Sequence, residues 1–309
     1  MPRMLARLDP LKPDLRIELA LLALLAGFWG SSYLLLKIAL TSFPPVTLTG
    51  IRTGVAALFL FGIMRLQGQH LPRDATSWRA LGIQSLLNSS VAWLLLAWGQ
   101  QFVPSGTAGV LNSTSPIFVV LITAMLSRQR GVKGTTWFQN LGVALGFLGV
   151  VLIVGADALS GLGQQSLAQL AVLLSAVLYA FAALNGKHLA HLSPLATATG
   201  TLLCAAVCVL PLSFLVEQPW AVRPSLNAVL AVLALTIFCT GVALILYFRL
   251  VNTLGAVGVA SQSYLRAGFS VLLGAWALGE QPAMSVLIGL AATVLGVALI
   301  NWPRHSKAI

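Results

Sequence analysis

The chain has little charge and few of the side chains that build disulfides, metal sites or cofactor sites. Of its 309 residues only 8% are charged, and seven are Asp or Glu. A soluble protein of this size would carry more charged residues on its surface. The three cysteines lie inside apolar runs, where a thiol is a small apolar filler. We therefore expect no disulfide, no metal and no cofactor at Cys204, Cys208 and Cys239.

Histidine is also sparse, and its placement argues against an enzyme. The four histidines lie at loops or at the ends of apolar runs, and no apolar run holds a set of Ser, His and acid or a metal cluster. An active site inside the membrane needs such a constellation. An integral-membrane enzyme is therefore the least favoured class. The histidines are His70, His188, His191 and His305.

Apolar sequence fills the chain instead. Hydrophobic residues make up 58% of it, and the mean hydropathy is +0.92. Ten stretches are each about long enough to cross a bilayer, which predicts an all-α integral membrane protein with ten transmembrane helices. The predicted spans are 18–40, 46–66, 79–100, 106–126, 136–155, 167–187, 194–216, 226–248, 256–278 and 283–302.

The basic residues predict how these spans are oriented. Lys and Arg near span ends are held on the cytoplasmic side of a membrane. With the N-terminus inside, fourteen of the eighteen fall on inner segments, one falls on an outer loop, and three lie within spans. Both termini, residues 1–17 and 303–309, are therefore predicted to be cytoplasmic. The net charge of +11 needs no nucleic acid as a partner, because basic loops that face anionic lipid explain most of it.

The spans form two sets of five that resemble each other, which predicts repeats over 18–155 and 167–302. The last spans match best: LGVALGFLGVVLI and IGLAATVLGVALI each carry two glycines seven residues apart. Small residues at that spacing let helix backbones approach closely. A repeat with an odd number of spans inserts upside down, which is typical of transporters. The glycines are Gly142, Gly149, Gly289 and Gly296.

The order and duplication of several motifs resemble the drug/metabolite transporter superfamily, in its ten-span EamA type. These motifs are GFWGSSYLLLKIAL in the first span, Arg52 in the second, the ALGEQP turn that ends the ninth, and the glycine pairs. The resemblance covers essentially the whole chain. It implies an inverted-repeat carrier that works by alternating access, and many bacterial members export amino acids or related metabolites.

Polar residues interrupt two equivalent spans. The fourth span reads GVLNSTSPIF and the ninth reads ASQSYLRAGF, and a shift of 151 residues places Ser115 on Arg266. Inverted-repeat carriers bind substrate near the midplane, where helices are interrupted or polar. We therefore predict a cavity there. Besides Ser115 and Arg266, its predicted lining is Asn112, Gln262, Ser263 and Tyr264, with Asn88 from a polar triplet in the third span.

Arg266 lies about ten residues into its span, or roughly 15 Å at the helical rise, too deep to reach the surface comfortably. No Asp or Glu lies at comparable depth in the sequence. A buried cation must find an anionic or carbonyl partner. Arg266 is thus expected to attract a substrate carboxylate; the alternative is that it binds backbone carbonyls of the interrupted fourth span.

A second set of candidates lies on the first and sixth spans. Trp29, Tyr33 and Lys37 recur every four residues, hence on one helix face, and Tyr179 is equivalent to Trp29 at a shift of 150. They predict an aromatic wall of the cavity, although such a stripe also serves as ordinary packing. Lys37 and Arg52 lie toward the outer ends of their spans, so both are alternatively expected to extend to the membrane interface.

A deep cation beside hydroxyls, amides and aromatics suits a zwitterion. We therefore predict a monomeric exporter of neutral and aromatic amino acids in the bacterial inner membrane, the amino-acid class being implied by the resemblance. The alternative is a carrier of organic anions or sugar phosphates. It is favoured if Arg266, Arg52 and Lys37 lie close together, since a phosphate is expected to need two or more cations.

The predicted orientation is directly testable. A green fluorescent protein fused after Ile309 should fluoresce, and an alkaline phosphatase fused there should be inactive, because both report a cytoplasmic C-terminus. A phosphatase inserted beside Arg223, in the predicted outer loop, is the matched control and should be active. The opposite result at both positions would reverse the orientation.

Overall fold

The protein is described as a computed structural model over residues 15–129, 137–159, 164–260 and 262–300. Throughout these ranges the structure is helical, without β-strands. We number the α-helices in chain order: α1 Leu15–Ala39, α2 Pro45–Leu66, α3 Ala75–Ser85, α4 Val91–Gln100, α5 Ser105–Asn112, α6 Ser115–Gln129, α7 Trp137–Leu159, α8 Gln164–Asn185, α9 Pro194–Val216, α10 Leu226–Thr236, α11 Ala243–Ala260, α12 Gln262–Leu278 and α13 Met284–Ile300.

Two short π-helical segments join these helices into longer ones. Leu86–Ser90 connects α3 to α4, and Ile237–Val242 connects α10 to α11. Among the described residues, seven helical stretches, one of them formed by α5 and α6 together, are long and apolar enough to cross a membrane, and three shorter helices are apolar as well. The all-helical membrane architecture is as predicted, while the count of ten full spans stays a prediction.

Helix starts follow ordinary capping chemistry. Pro45 and Pro194 are the first residues of α2 and α9, where a missing N–H costs nothing. The Ser193 side chain caps α9 by accepting from the Ala196 N–H at 3.2 Å. Asp74 caps α3 by accepting from the Ser77 N–H at 2.7 Å, and hydrogen bonds from the Ser77 side chain and from its backbone N–H lower the pKa of the Asp74 carboxyl group. These local signals set the register of the spans.

The loop predicted between the eighth and ninth spans is wrong. Residues 249–255 are helical and belong to α11. No proline interrupts this stretch, so nothing forces the helix to end there. One face of it is also held by α1: Glu18 accepts from the Arg249 guanidinium at 2.8 Å and from the Thr253 hydroxyl at 2.8 Å.

Corresponding helices of the two halves pack against each other. The last helices, α7 and α13, meet at their glycines, and α2 packs along α9. A Cβ atom on Gly149 would lie 2.8 Å from the Gly289 carbonyl oxygen, and one on Gly296 would lie 2.6 Å from that of Gly142. The predicted use of these glycines in close helix packing is confirmed.

One end of the bundle, which we call the Lys37 end, is tightly closed. Glu217 accepts from the first backbone N–H groups of α2, at 3.0 Å from Val46 and 2.7 Å from Thr47. Glu280 does the same for α5, at 2.7 Å from the Ser105 N–H. A carboxylate is favoured at a helix N-terminus by both hydrogen bonds and the helix dipole. The largest buried apolar cluster lies beside these contacts and includes Leu36, Phe43, Val103 and Leu111.

The opposite end, which we call the Glu18 end, is less filled. A cavity of about 170 Å³ lies between α2, α9 and α11. Its polar lining includes Gln67, Gln69, Ser193 and Arg249. At this end Ser193 donates to the Gln69 amide oxygen at 2.6 Å. The corresponding junction at the Lys37 end is made by the Glu217 carboxylate. The two ends therefore differ in the charge of the groups that join α2 to α9.

The glycine contact generates a matched pair of variants. Gly149→Ala should lower the melting temperature, because its methyl group meets backbone of α13 that cannot move aside. Gly62→Ala, one turn before the end of α2, has no atom of another helix within 4 Å of the added methyl and should stabilise the helix by about 1 kcal/mol. Thermal unfolding in detergent measures both. Equal effects at the two positions would contradict the close α7–α13 contact.

Candidate functional site

The break predicted in the fourth span is confirmed. Helix α5 ends at Asn112 and α6 begins at Ser115. Pro116, the second residue of α6, has no N–H and disfavours helical geometry in the residue before it. The hydroxyl groups in the break bond back to α5: Ser113 donates to the Gly109 carbonyl at 2.7 Å and Thr114 to that of Leu111 at 2.6 Å. A helix C-terminus and a helix N-terminus therefore meet inside the bundle.

Arg266 lies on α12 directly against this break. Its Nη2 atom is 3.3 Å from the Asn112 carbonyl oxygen, and Nε and Nη2 are each 3.4 Å from the Ser113 hydroxyl. These distances are at the long, weak end for hydrogen bonds. The side chain is half-buried. Both roles predicted for Arg266 thus remain chemically available, since it touches the break and still has donors to spare.

Gln262 lies one helical turn before Arg266, on the same face of α12. It is 7% exposed, and its amide nitrogen donates to the Ser263 hydroxyl at 3.2 Å. Its Oε1 atom is buried without a hydrogen-bond partner in the described part of the chain. Tyr264 belongs to the same helix, but its side chain lies outside the described residues. Near Arg266 there is therefore a buried acceptor that no described protein group uses.

Asn112 forms the centre of a polar chain that joins three helices. Its Oδ1 accepts from the Tyr33 hydroxyl of α1 at 2.9 Å, and its Nδ2 donates to the Ser175 hydroxyl of α8 at 2.8 Å. Asn112 and Tyr33 are 1% and 3% exposed. Ser115, at the start of α6, is half-buried. The Asn112 amide is thus engaged within the protein, and it fixes α1 and α8 relative to the break.

The aromatic and basic stripe of α1 does not form one wall. Trp29 packs on Tyr247 of α11 with 5.5 Å between ring centroids. Lys37 donates to backbone carbonyls of the turn between α4 and α5, at 2.6 Å from Gln100 and 3.1 Å from Val103. Lys37 thereby closes the Lys37 end, and a role in substrate binding stays a prediction that this geometry does not favour.

Arg52 is buried inside the bundle, a position that does not favour the alternative in which it extends to the membrane interface. Its side chain is 7% exposed. The guanidinium carbon lies 3.7 Å from the centroid of a Trp93 ring, and Nε donates to the Thr240 hydroxyl at 3.1 Å. Arg52 and Arg266 both interact electrostatically with Tyr33 and Tyr179. Two cations therefore face the centre of the bundle, while Lys37 does not join them.

Sequence reasoning missed the π-helical segments. Leu86–Ser90 contains Asn88, and Ile237–Val242 contains Thr240; a shift of 151 places one segment on the other. Short π-helical insertions are frequent at functional sites. Asn88 is half-buried and donates to the neighbouring Ser89 hydroxyl at 3.2 Å. The polar triplet NSS was a visible signal of an unusual position, but periodicity alone does not reveal an inserted residue.

The model of the EamA-like transporter family matches this chain twice, over residues 17–155 and 166–302. The chain belongs to the EamA-like transporter family. This EamA chain is also 28% identical over 286 residues to the uncharacterized inner membrane transporter YedA of Escherichia coli K12, covering 90% of this chain and 88% of that one.

The chain is also similar to a protein named for its activity and to a protein of known structure. The EamA chain is 25% identical over 279 residues to a "Probable terminal-alkyne amino-acid exporter" of Streptantibioticus cattleyicolor, covering 88% of this chain and 89% of that protein. A crystal structure with 20% identity superposes with a TM-score of 0.67 over 93% of this chain and 96% of its own. That likeness concerns the fold alone. The EamA chain is thus a multi-pass membrane transporter.

Metal-binding chemistry has no support in the described ranges of this EamA chain. No three His, Cys, Asp or Glu side chains lie close enough there to hold a metal ion. The carboxylates of Glu18, Glu217 and Glu280 contact protein groups at the two ends of the bundle. What the centre offers is guanidinium, amide and hydroxyl groups.

The Asn112 chain generates a prediction for the EamA transporter. Tyr33→Phe keeps the ring but leaves the buried Asn112 Oδ1 without its donor, which should cost about 1–3 kcal/mol. Thr201→Val is the matched control, because the buried Thr201 hydroxyl has no hydrogen-bond partner among described residues. Thermal unfolding in detergent should show a loss for the first variant and no loss for the second. A Tyr33→Phe protein as stable as wild type would contradict the Asn112 chain.

Proposed function

We propose that this EamA-family transporter exports amino acids across the bacterial inner membrane. It works by alternating access around the centre between Arg266 and the α5–α6 break, with both termini in the cytoplasm. Ten spans of one chain can enclose a cavity alone, so we expect a monomer to suffice.

The observation that carries this proposal is the pairing of Arg266 with Gln262 beside the break. A free guanidinium donor suits a carboxylate, and the buried Gln262 Oε1 suits an ammonium group. An α-amino acid carries these two charged groups on one carbon atom, and the two side chains lie on neighbouring turns of one helix face. The N-terminus of α6 adds a positive dipole near the carboxylate.

The related proteins support the same substrate class. One relative with 25% identity is named as an amino-acid exporter. Amino acids with neutral and aromatic side chains are the class expected from the sequence. Trp29 and Tyr33 are both engaged in protein contacts, so an aromatic preference rests on Tyr179.

Counterflow into liposomes that contain the purified transporter tests the proposal. Wild-type protein should take up radiolabelled amino acids saturably, and Arg266→Ala and Arg266→Lys should both lose this uptake, because ammonium lacks the planar donor geometry of guanidinium. Arg65→Gln, at the exposed end of α2, is the control for a lost positive charge and should transport normally.

Two results would overturn the proposal. Uptake of a sugar phosphate without any amino acid would assign the centre to an organic-anion carrier. Full amino-acid uptake by Arg266→Ala would leave Arg266 with only its contacts to the helix break. In both cases size-exclusion chromatography of each variant confirms that the comparison is between folded proteins.

A further inference from the structure

Arg52 is a buried cation whose binding capacity the protein does not use. It is 93% removed from solvent, being 7% exposed. One of its five N–H groups, on Nε, donates to Thr240, and the flat face of the guanidinium lies over Trp93. Within the described chain neither Nη atom has a hydrogen-bond partner. These atoms carry four N–H donors in the guanidinium plane.

No described carboxylate neutralises this charge. Glu18 binds Arg249, Glu217 binds the start of α2, and Glu280 binds the start of α5. Asp74 caps α3. An ionised group away from water is costly unless it is paired with a counter-charge and hydrogen-bonded. Trp93 and Thr240 supply only neutral contacts, so an anion that enters the bundle would meet a positive charge that no described carboxylate balances.

Arg52 is connected to the centre that holds Arg266. Thr240, its partner, follows Cys239, whose sulfur lies 3.6 Å from the Ser31 hydroxyl of α1. Two residues further along α1, Tyr33 donates to Asn112, and the Asn112 carbonyl contacts Arg266. Tyr33 and Tyr179 each lie within electrostatic range of both arginines. Both guanidinium groups are thus tied to α1 by contacts, Arg266 through Asn112 and Tyr33, and Arg52 through Thr240 and its neighbour Cys239.

We propose that Arg52 binds a second acidic group on the substrate, so that the preferred amino acids carry an acidic side chain. The inference rests on the proposed function, in which Arg266 and Gln262 hold the α-carboxylate and α-ammonium groups. A bound zwitterion with a neutral side chain has no net charge and leaves one arginine uncompensated. A carboxylate or phosphate on the side chain supplies the missing charge and accepts from the free Nη donors of Arg52.

Arg52 therefore determines which amino acids are carried, and Trp93 and Thr240 are its positioning residues. The ring of Trp93 packs against one face of the guanidinium plane. The hydroxyl group of Thr240, in the π-helical segment, orients Nε by accepting its hydrogen bond. Lysine cannot reproduce this arrangement, because its ammonium is a point charge without a planar face.

The test uses glutamate and glutamine, which have nearly the same shape and differ in side-chain charge. Proteoliposome counterflow measures kcat/KM for each, with O-phosphoserine against serine as a second pair to separate carboxylate from phosphate. Wild type should prefer the acidic member of a pair at least about tenfold. Arg52→Gln should abolish or invert that preference, Arg52→Lys should reduce it, and Arg65→Gln on the same helix should leave it unchanged.

The ratio of the kcat/KM values for the two substrates does not depend on the fraction of folded transporter, so misfolding cannot imitate the expected change in preference. Arg266→Gln should instead lose both members of a pair together. Wild-type preference for the neutral member, or an unchanged ratio in Arg52→Gln, overturns the role of Arg52 while amino-acid transport stands. Absence of uptake for all four compounds and for threonine, methionine and phenylalanine overturns the proposed function itself.

Discussion

Buried positive charge is the constraint on which the centre of this transporter depends. A cation inside the bundle has to be compensated by carbonyls, aromatic faces or an anion, because its apolar surroundings solvate a charge poorly. The chain has seven acids in all, and the described ones bind groups at the bundle ends. Arg266 is consequently held by a broken helix, and Arg52 by a tryptophan and a threonine.

The acids at the bundle ends have a different task, which is to close one end more firmly than the other. Glu217 and Glu280 each satisfy N–H groups at the start of a helix that has no partner for them. The equivalent junction of α2 and α9 at the Glu18 end uses an amide and a hydroxyl beside a cavity. In an inverted repeat, such unequal ends are what a carrier with one end closed is expected to have.

Several features of the fold followed from the sequence because they depend on local chemistry. The interruption of the fourth span follows from the backbone geometry that Pro116 imposes. The contact of α7 with α13 follows from glycines spaced at two helical turns. The π-helical segments and the helical residues 249–255 were not predictable in this way, since no residue type there enforces or forbids the observed backbone.

The sequence by itself determined that the chain is a helical membrane protein built from two similar halves, and that a deep arginine lies opposite an interrupted helix. Those conclusions depend on apolar run length, repeat spacing and proline geometry, which are properties of neighbouring residues. Only the tertiary structure decided the partners of Arg52, Lys37 and Trp29. A helix face can be assigned from spacing, but the helix that packs against it is set by long-range contacts that no local pattern encodes.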